Sequence, residues 1–172
     1  MRKLKFLLLL LLIPLLFSCQ KKADPVGIPD LSVPYGVVLT VGRTGVRGKM
    51  IFGENGSYEF VCDDEGSPLC GYRESVVNGR YSSAYRGIAP SSDQTPPAAK
   101  VLYAALSRLF SDDTRTGEPE TIDGTACLKV TFPIEDADCE YCAGTDGTPR
   151  SLIIRRGDLT VTAIFDQKEK DA

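Results

Sequence analysis

The sequence contains no histidine and no tryptophan. Without histidine, catalysis or metal binding through an imidazole is excluded. The chain also lacks a G-x-S-x-G motif, a phosphate-binding loop and the penicillin-binding signature. Carboxylates cluster at residues 63–65, 112–113 and 135–136, but each group lies in a predicted turn, where acidic side chains are ordinarily solvated. The sequence therefore predicts a protein that is not an enzyme and that uses no metal or cofactor.

A basic excess is missing as well. The chain has 20 Lys and Arg against 23 Asp and Glu, a formal net charge of −3, and three of the cations lie among the first five residues. Nucleic acids and anionic lipid surfaces require a basic face. We therefore expect no nucleic-acid partner and no electrostatic attachment to a membrane.

The N-terminus has the pattern of an export leader. Its cations are followed by an apolar run at residues 7–17, which is too short to span a hydrocarbon core of about 30 Å. The tetrapeptide LFSC at residues 16–19 resembles the lipobox of bacterial lipoproteins. An ordinary secretory leader with an incidental cysteine, or a buried apolar helix, are the alternatives. We interpret residues 1–18 as a lipoprotein signal peptide that is removed.

The lipobox resemblance implies that the sulfur of Cys19 carries a diacylglycerol. Two or three acyl chains form a stable anchor, at about 0.8 kcal/mol per buried methylene. The predicted partner of the chain is thus a membrane, reached through Cys19, and the predicted location is the extracytoplasmic side of the cell membrane. Gln20 offers no aspartate-type retention signal, so in a host with two membranes the resemblance implies the outer membrane.

Composition divides the rest of the chain into three parts. Residues 19–36 contain three prolines and two glycines with little periodicity, which predicts a lipid-anchored linker. Residues 37–167 form the predicted domain, and residues 168–172 are a polar tail.

The domain begins and ends with short runs of β-branched, aromatic and aliphatic residues. Turn dipeptides such as Asn55-Gly56 and Asn78-Gly79 separate them, a pattern typical of an antiparallel meander. Alternation within the runs indicates a half-buried sheet of about nine strands. The predicted strands are residues 37–41, 48–52, 57–62, 72–77, 80–85, 126–132, 139–143, 150–155 and 159–166.

One predicted helix, at residues 98–110, interrupts the strands. Apolar residues recur there at helical spacing, and Lys100, Tyr103, Ser107 and Arg108 lie on the opposite side. Such a stripe is usually core, although it could bind lipid or a partner helix. We expect an α+β fold in which a strongly curved antiparallel sheet, an incomplete β-barrel, wraps around this main amphipathic helix.

Three short segments carry a resemblance to a known family. PLCGY at residues 68–72, YRGI at residues 85–88 and TDGTPR at residues 145–150 lie around the predicted hairpin, helix and closing strands. In this arrangement the chain resembles the lipoprotein-localisation carrier and receptor family, and more closely its lipid-anchored relatives in single-membrane bacteria. The resemblance implies a half-barrel covered by helices, whose apolar hollow binds acyl chains or serves as a protein-docking scaffold.

Five cysteines follow Cys19, an odd number for an extracytoplasmic domain. One disulfide, five reduced thiols in an anaerobe, or a four-thiolate zinc site are the alternatives. Cys139 and Cys142 lie three apart in a predicted strand, so they face opposite sides and cannot bridge to each other. The zinc site would use Cys62, Cys70, Cys139 and Cys142.

Two functions remain. In the first, which the family resemblance favours, the hollow between sheet and helix binds an apolar ligand such as an acyl chain or another lipid. In the second, the protein is a non-enzymatic interaction scaffold that docks another envelope protein, and its own side chains fill the hollow. Five phenylalanines are large enough to do so: Phe52, Phe60, Phe110, Phe132 and Phe165. The candidate lining of the hollow is Leu39, Phe60, Val101, Leu102, Ala105, Leu106 and Leu109.

Overall fold

A computed structural model of the chain describes residues 24–89, 94–111, 116–122 and 124–166. The predicted signal peptide, Cys19 and the predicted tail at residues 168–172 lie outside the described residues.

The described residues form one open antiparallel sheet of eleven strands and a single α-helix. This confirms the prediction of a mainly antiparallel sheet with one helix. The strands are β1 (Asp24–Pro25), β2 (Tyr35–Val41), β3 (Thr44–Phe52), β4 (Tyr58–Val61), β5 (Tyr72–Val77), β6 (Arg80–Tyr85), β7 (Thr116–Ile122), β8 (Thr125–Ile134), β9 (Ala137–Ala143), β10 (Pro149–Arg156) and β11 (Leu159–Asp166). The helix α1 spans Pro97–Ser111, and a 3-10 turn spans Glu54–Gly56.

The sheet consists of a first meander, β2 to β6, and a second meander, β7 to β11, joined in the middle. Its strand order is β1-β7-β8-β9-β10-β11-β2-β3-β4-β5-β6. The ladder between β2 and β11 joins the two meanders, and in it Val37 pairs with Phe165. The sheet therefore has two edges in this part of the chain, with β1 and β7 at one and β6 at the other.

Each of the nine predicted runs overlaps an observed strand, but β1 and β7 were not predicted. β7 has the sequence TGEPETI, which contains a proline and no apolar alternation, and β1 has only two residues. Both are edge strands, where backbone pairing can form without a buried face. This explains why a search for hydrophobic alternation does not find them.

Part of the predicted linker packs against the domain. β1 pairs with β7, and Val26 contacts the buried core. A Cβ built on Gly27 would lie 3.0 Å from the Cα of Gly147, so the segment passes close to the turn between β9 and β10. Residues 24–36 are thus not a simple spacer.

The helix follows its predicted pattern on the apolar side. The N–H of Lys100 donates to the carbonyl of Pro96 at 3.0 Å, so the proline-rich start coincides with the first turn. On the predicted polar side, however, Tyr103 and Ser107 are half-buried. The 3-10 turn packs there, and the Ser107 hydroxyl donates to the carbonyl of Asn55 at 2.8 Å. Tertiary packing therefore buries more of the helix than its sequence pattern indicates.

The helix has fifteen residues, and no helix in the described part of the chain is long and apolar enough to cross a membrane.

Candidate functional site

The candidate hollow lies between α1 and the sheet. Its seven predicted residues are all 0 to 8 % exposed and belong to one buried cluster. Leu39 comes from β2, Phe60 from β4, and the other five from one side of the helix. The structure therefore brings together every predicted lining residue, and their low exposure shows that they pack as core.

Four aromatic rings, which we call the aromatic cluster, pack in the same interior. They are Tyr35, Phe52, Phe110 and Phe165. The centroid of Phe52 lies 5.5 Å from those of Tyr35 and Phe110 and 5.7 Å from that of Phe165. These are the tilted and edge-to-face distances of packed aromatic side chains. The cluster links the end of the helix to three strands of the sheet.

The space beside the start of the helix is small. A cavity of about 10 Å³ lies between Lys100, Val101 and Ala104 of the helix and Ile134 and Ala137 of the β8–β9 hairpin. A single water needs a cavity of at least about 10 to 15 Å³. The helix is therefore seated closely on this part of the sheet.

A polar network borders the apolar interior on β4, β5 and β6. Glu74 accepts hydrogen bonds from the hydroxyls of Tyr58 at 3.1 Å and Tyr72 at 2.8 Å. The hydroxyls of Tyr72 and Tyr81 lie 3.2 Å apart. Burial, followed by the neighbouring carboxylate of Glu74, raises the pKa of Tyr58, and burial with the hydrogen bond to Tyr81 raises that of Tyr72. The tyrosines thus stay neutral and hold the carboxylate on the inner side of the sheet.

Sequence reasoning missed this network, although a signal for it exists. Glu74 lies between Tyr72 and Val76 at the alternate positions of a strand, so it shares their face. A carboxylate at such a position requires hydrogen-bond donors, because burying an unpaired charge is costly. The tyrosines of the neighbouring strands supply them.

The five cysteines of the described residues are free thiols, four of them buried. Cys139 pairs with Ile154 of the inner core, whereas Cys142 pairs with Ser151 and Lys129. Strand alternation therefore places the two thiols on opposite faces, as the sequence predicts. Burial raises the pKa of the Cys139 thiol to about 11 and also raises that of Cys142. Within the described ranges, no three His, Cys, Asp or Glu side chains group so as to hold a metal, so the alternative of a zinc site has no support.

The outer face of the central strands carries ion pairs. Arg47 contacts Asp166 at 3.3 Å and Lys49 contacts Asp63 at 3.4 Å. These four side chains and Gly36 line a cavity of about 180 Å³. Because each cation is already matched by a carboxylate, this cavity offers little net charge to a ligand.

The turn end of the β5–β6 hairpin differs from the central strands. A groove of about 570 Å³ is lined by Ser75, Val77, Asn78, Arg80, Tyr81 and Ser82. The hydroxyls of Ser75 and Ser82 lie 2.8 Å apart across the two strands. Arg73 and Arg80 are exposed, and neither forms an ion pair with another of the described residues. This groove is therefore open and of mixed polar and apolar character, and Arg80 is the charged side chain that lines it.

The chain was compared with models of known protein families and with individually curated proteins. Neither comparison gives a match. Only the residues and their geometry therefore bear on the function.

Proposed function

We propose that this protein is a lipid-anchored, extracytoplasmic interaction scaffold that docks another envelope protein. One observation carries the proposal: the seven residues predicted to line the hollow pack together as core, and each is 0 to 8 % exposed. A ligand pocket for an acyl chain needs roughly 300 to 1,000 Å³. The groove of about 570 Å³ on the β5–β6 hairpin has this size, but it is open to solvent, whereas a ligand pocket buries most of its ligand.

The anchoring part of the proposal rests on the leader. The apolar run, the small residue Ser18 and Cys19 occur in the order that lipoprotein processing requires. β1 begins five residues after Cys19, and five extended residues reach at most about 17 Å. A lipid on Cys19 would therefore hold the β1 end of the sheet close to the bilayer surface.

The proposal includes a curved sheet, a half-barrel wrapped around the helix. Strands β2 to β5 and β8 to β11 all contribute residues to the buried cluster that contains the helix stripe. Eight flat strands would be about 34 Å wide, since neighbours lie about 4.8 Å apart, whereas a helix is about 10 to 12 Å wide. Curvature lets so many strands share one core with a single helix.

Native mass spectrometry separates the scaffold from a lipid carrier. We expect residues 20–172, expressed without the leader, to show the mass of the chain alone and no thermal shift with oleic acid or phosphatidylethanolamine. A bound lipid would raise stability by about 2.7 kcal/mol at a hundredfold excess over its dissociation constant. A co-purifying lipid together with such a shift would contradict the scaffold and favour the lipid-binding alternative.

Cross-linking in intact cells tests the positive part of the proposal. The full-length lipoprotein, treated with a short amine-reactive cross-linker, should give a discrete adduct with another envelope protein. Chemical cross-linking of the Cys19→Ala variant, which cannot carry the lipid, is the control. A wild-type protein that gives no adduct would contradict a docking function.

A further inference from the structure

In the described part of the chain, the outer edge of β6 has backbone groups that bond to no neighbouring strand. Asn78 and Gly79 form the two-residue turn of the β5–β6 hairpin, with φ angles of 50° and 76°. Val77 and Arg80 flank this turn and therefore form a hydrogen-bonded pair. Along the two strands from there, non-hydrogen-bonded and hydrogen-bonded pairs alternate. Tyr81, Ser83 and Tyr85 accordingly direct their N–H and C=O groups away from β5.

One contact confirms this alternation and limits the open edge. The N–H and C=O of Tyr85 both bond to Ile88, each at 2.9 Å, so the chain after β6 covers the end of the strand. Tyr81 and Ser83 have no such partner within the described ranges, because β6 is the last strand of the sheet. Among the described residues, two donors and two acceptors are thus left for an added strand.

The opposite edge of the sheet has protective features that β6 lacks within the described ranges. There β7 contains Pro119, which has no N–H, and β1 pairs with its first two residues. Proteins commonly blunt exposed edges with proline, bulges or a covering segment. β6 has no proline, and its pairing with β5 shows no irregular register.

The charge beside the open edge indicates what it would bind. Arg73 and Arg80 lie on the outer face of the hairpin, and Arg86 follows the strand with its guanidinium 5.2 Å from the centroid of the Tyr85 ring. Arg73 and Arg80 lack an intramolecular ion pair with any described residue. An extended segment with carboxylates at alternate positions would place all of its carboxylates on the outer face, which carries Arg73 and Arg80.

We propose that β6 binds an extended acidic segment of a partner protein, which adds as a twelfth strand through the backbone of Tyr81 and Ser83. Main-chain hydrogen bonds supply affinity in this mode, and alternate side chains supply specificity. A second copy of this chain is a poorer occupant, since pairing two β6 edges would bring their arginines together and like charges are destabilising. The inference rests on the proposed scaffold function, for which it names a surface and a partner chemistry.

A synthetic peptide tests the proposal with the full-length lipoprotein purified in detergent. The probe is a capped heptapeptide, Thr-Glu-Val-Glu-Val-Glu-Thr, and its control has lysine in place of glutamate. Calorimetry should detect binding of the acidic peptide only, and hydrogen exchange should slow at the amides of Tyr81 and Ser83. Equal binding of both peptides, or protection elsewhere, would overturn the proposal.

Two matched changes probe the backbone contacts. Ser83→Pro removes an outward N–H, which an edge strand tolerates, and should weaken peptide binding about tenfold while far-ultraviolet circular dichroism stays unchanged. Peptides N-methylated at the valines or at the glutamates form a second pair, because only alternate residues bond to β6. One of them should bind and the other should not. Identical behaviour of the two would exclude strand addition, whatever the result with Ser83→Pro.

Charge reversal tests the side-chain contacts. The double variant Arg73→Glu and Arg80→Glu should lose the acidic peptide and bind the lysine peptide, and unchanged preference would contradict the assigned chemistry. The scaffold function has a separate readout: if a cellular cross-link persists while β6 binds neither peptide, the partner docks elsewhere and only this inference fails. If no cross-link forms either, the scaffold function fails as well.

Discussion

Tyr58 illustrates how a single buried hydroxyl makes stability depend on pH. Its pKa is raised in the folded protein by burial and by Glu74, whereas in the unfolded chain it ionises near its ordinary value of 10.0. Above that pH the unfolded state therefore holds fewer protons than the folded state, so the free energy of unfolding falls as pH rises. Below that pH, the contribution of Tyr58 to the free energy of unfolding is fully present.

We therefore expect the Tyr58→Phe variant to lose less stability than the wild type as the pH rises. Urea unfolding at several values between about pH 8 and pH 11 measures this, since a slope of free energy against pH reports proton uptake. The difference between wild type and variant should be constant below about pH 9 and shrink above about pH 10. A constant difference across the whole range would contradict the assignment of Tyr58 to this effect.

Thiol reactivity is a second property that is decided residue by residue. Cys139 is 1 % exposed and its pKa is raised to about 11 by burial, whereas Cys70 is only half-buried. Alkylation requires an accessible thiolate. With iodoacetamide near pH 8, peptide mapping by mass spectrometry should find Cys70 modified first and Cys139 last. In urea the order should disappear, and early modification of Cys139 in the native protein would contradict its burial.

At the scale of elements, the helix is held by its apolar stripe. Leu102 is 1 % exposed, so Leu102→Ala should lower the free energy of unfolding by about 2 to 5 kcal/mol. Lys100 is exposed on the same helix, and Lys100→Ala should change it by less than about 0.5 kcal/mol. Urea unfolding of both variants makes the comparison. Equal, small effects would mean that the helix does not pack on the sheet.

The 3-10 turn and the helix form a second contact between elements. Substitutions at two glycines measure how much this contact contributes to stability. Gly42 and Gly56 both have positive φ, at 61° and 77°, but only Gly56 is enclosed. A Cβ on Gly56 would lie 2.1 Å from the backbone nitrogen of Ser107, whereas one on Gly42 meets nothing within 4 Å.

Gly42→Ala should therefore cost only the backbone strain of about 1 to 2 kcal/mol. Gly56→Ala should cost a further 1 to 3 kcal/mol or more, roughly the penalty of overpacking. Thermal and urea unfolding of the pair checks this difference. If both variants lose the same stability, the turn does not pack against the helix as described.

These elements also show what a sequence reveals. The strands and the helix were predicted because their patterns are local: alternation within a strand and a stripe at helical spacing. The interior residues of the hollow followed from the same patterns. Whether that interior is filled could not be predicted, because it depends on how rings such as Phe52 and Phe165, 113 positions apart in the chain, meet in space. The half-burial of Ser107 had the same origin, a contact with distant Asn55.

On the scale of the whole molecule, β11 connects the two meanders. It pairs with β10 on one side and with β2 on the other, and it contributes Val161, Ala163 and Phe165 to the core. A chain that ends at Arg156 should therefore show no cooperative unfolding transition by circular dichroism. The control is a chain that ends at Asp166, which loses only residues after β11 and should keep the transition. A cooperative transition in the chain that ends at Arg156 would mean that the sheet does not depend on β11 to join its two meanders.

The β2–β11 ladder also sets the order of events when the chain is made. Residues 36–41 pair with residues 161–166, so β2 has only its hairpin partner until β11 has left the ribosome. Contacts between residues this distant close slowly, because a long loop must first be ordered. During that interval the apolar faces of the first meander stay open to chaperones, proteases and other nascent chains. The emergence of β11 thus determines how long the first meander of the newly made protein is vulnerable.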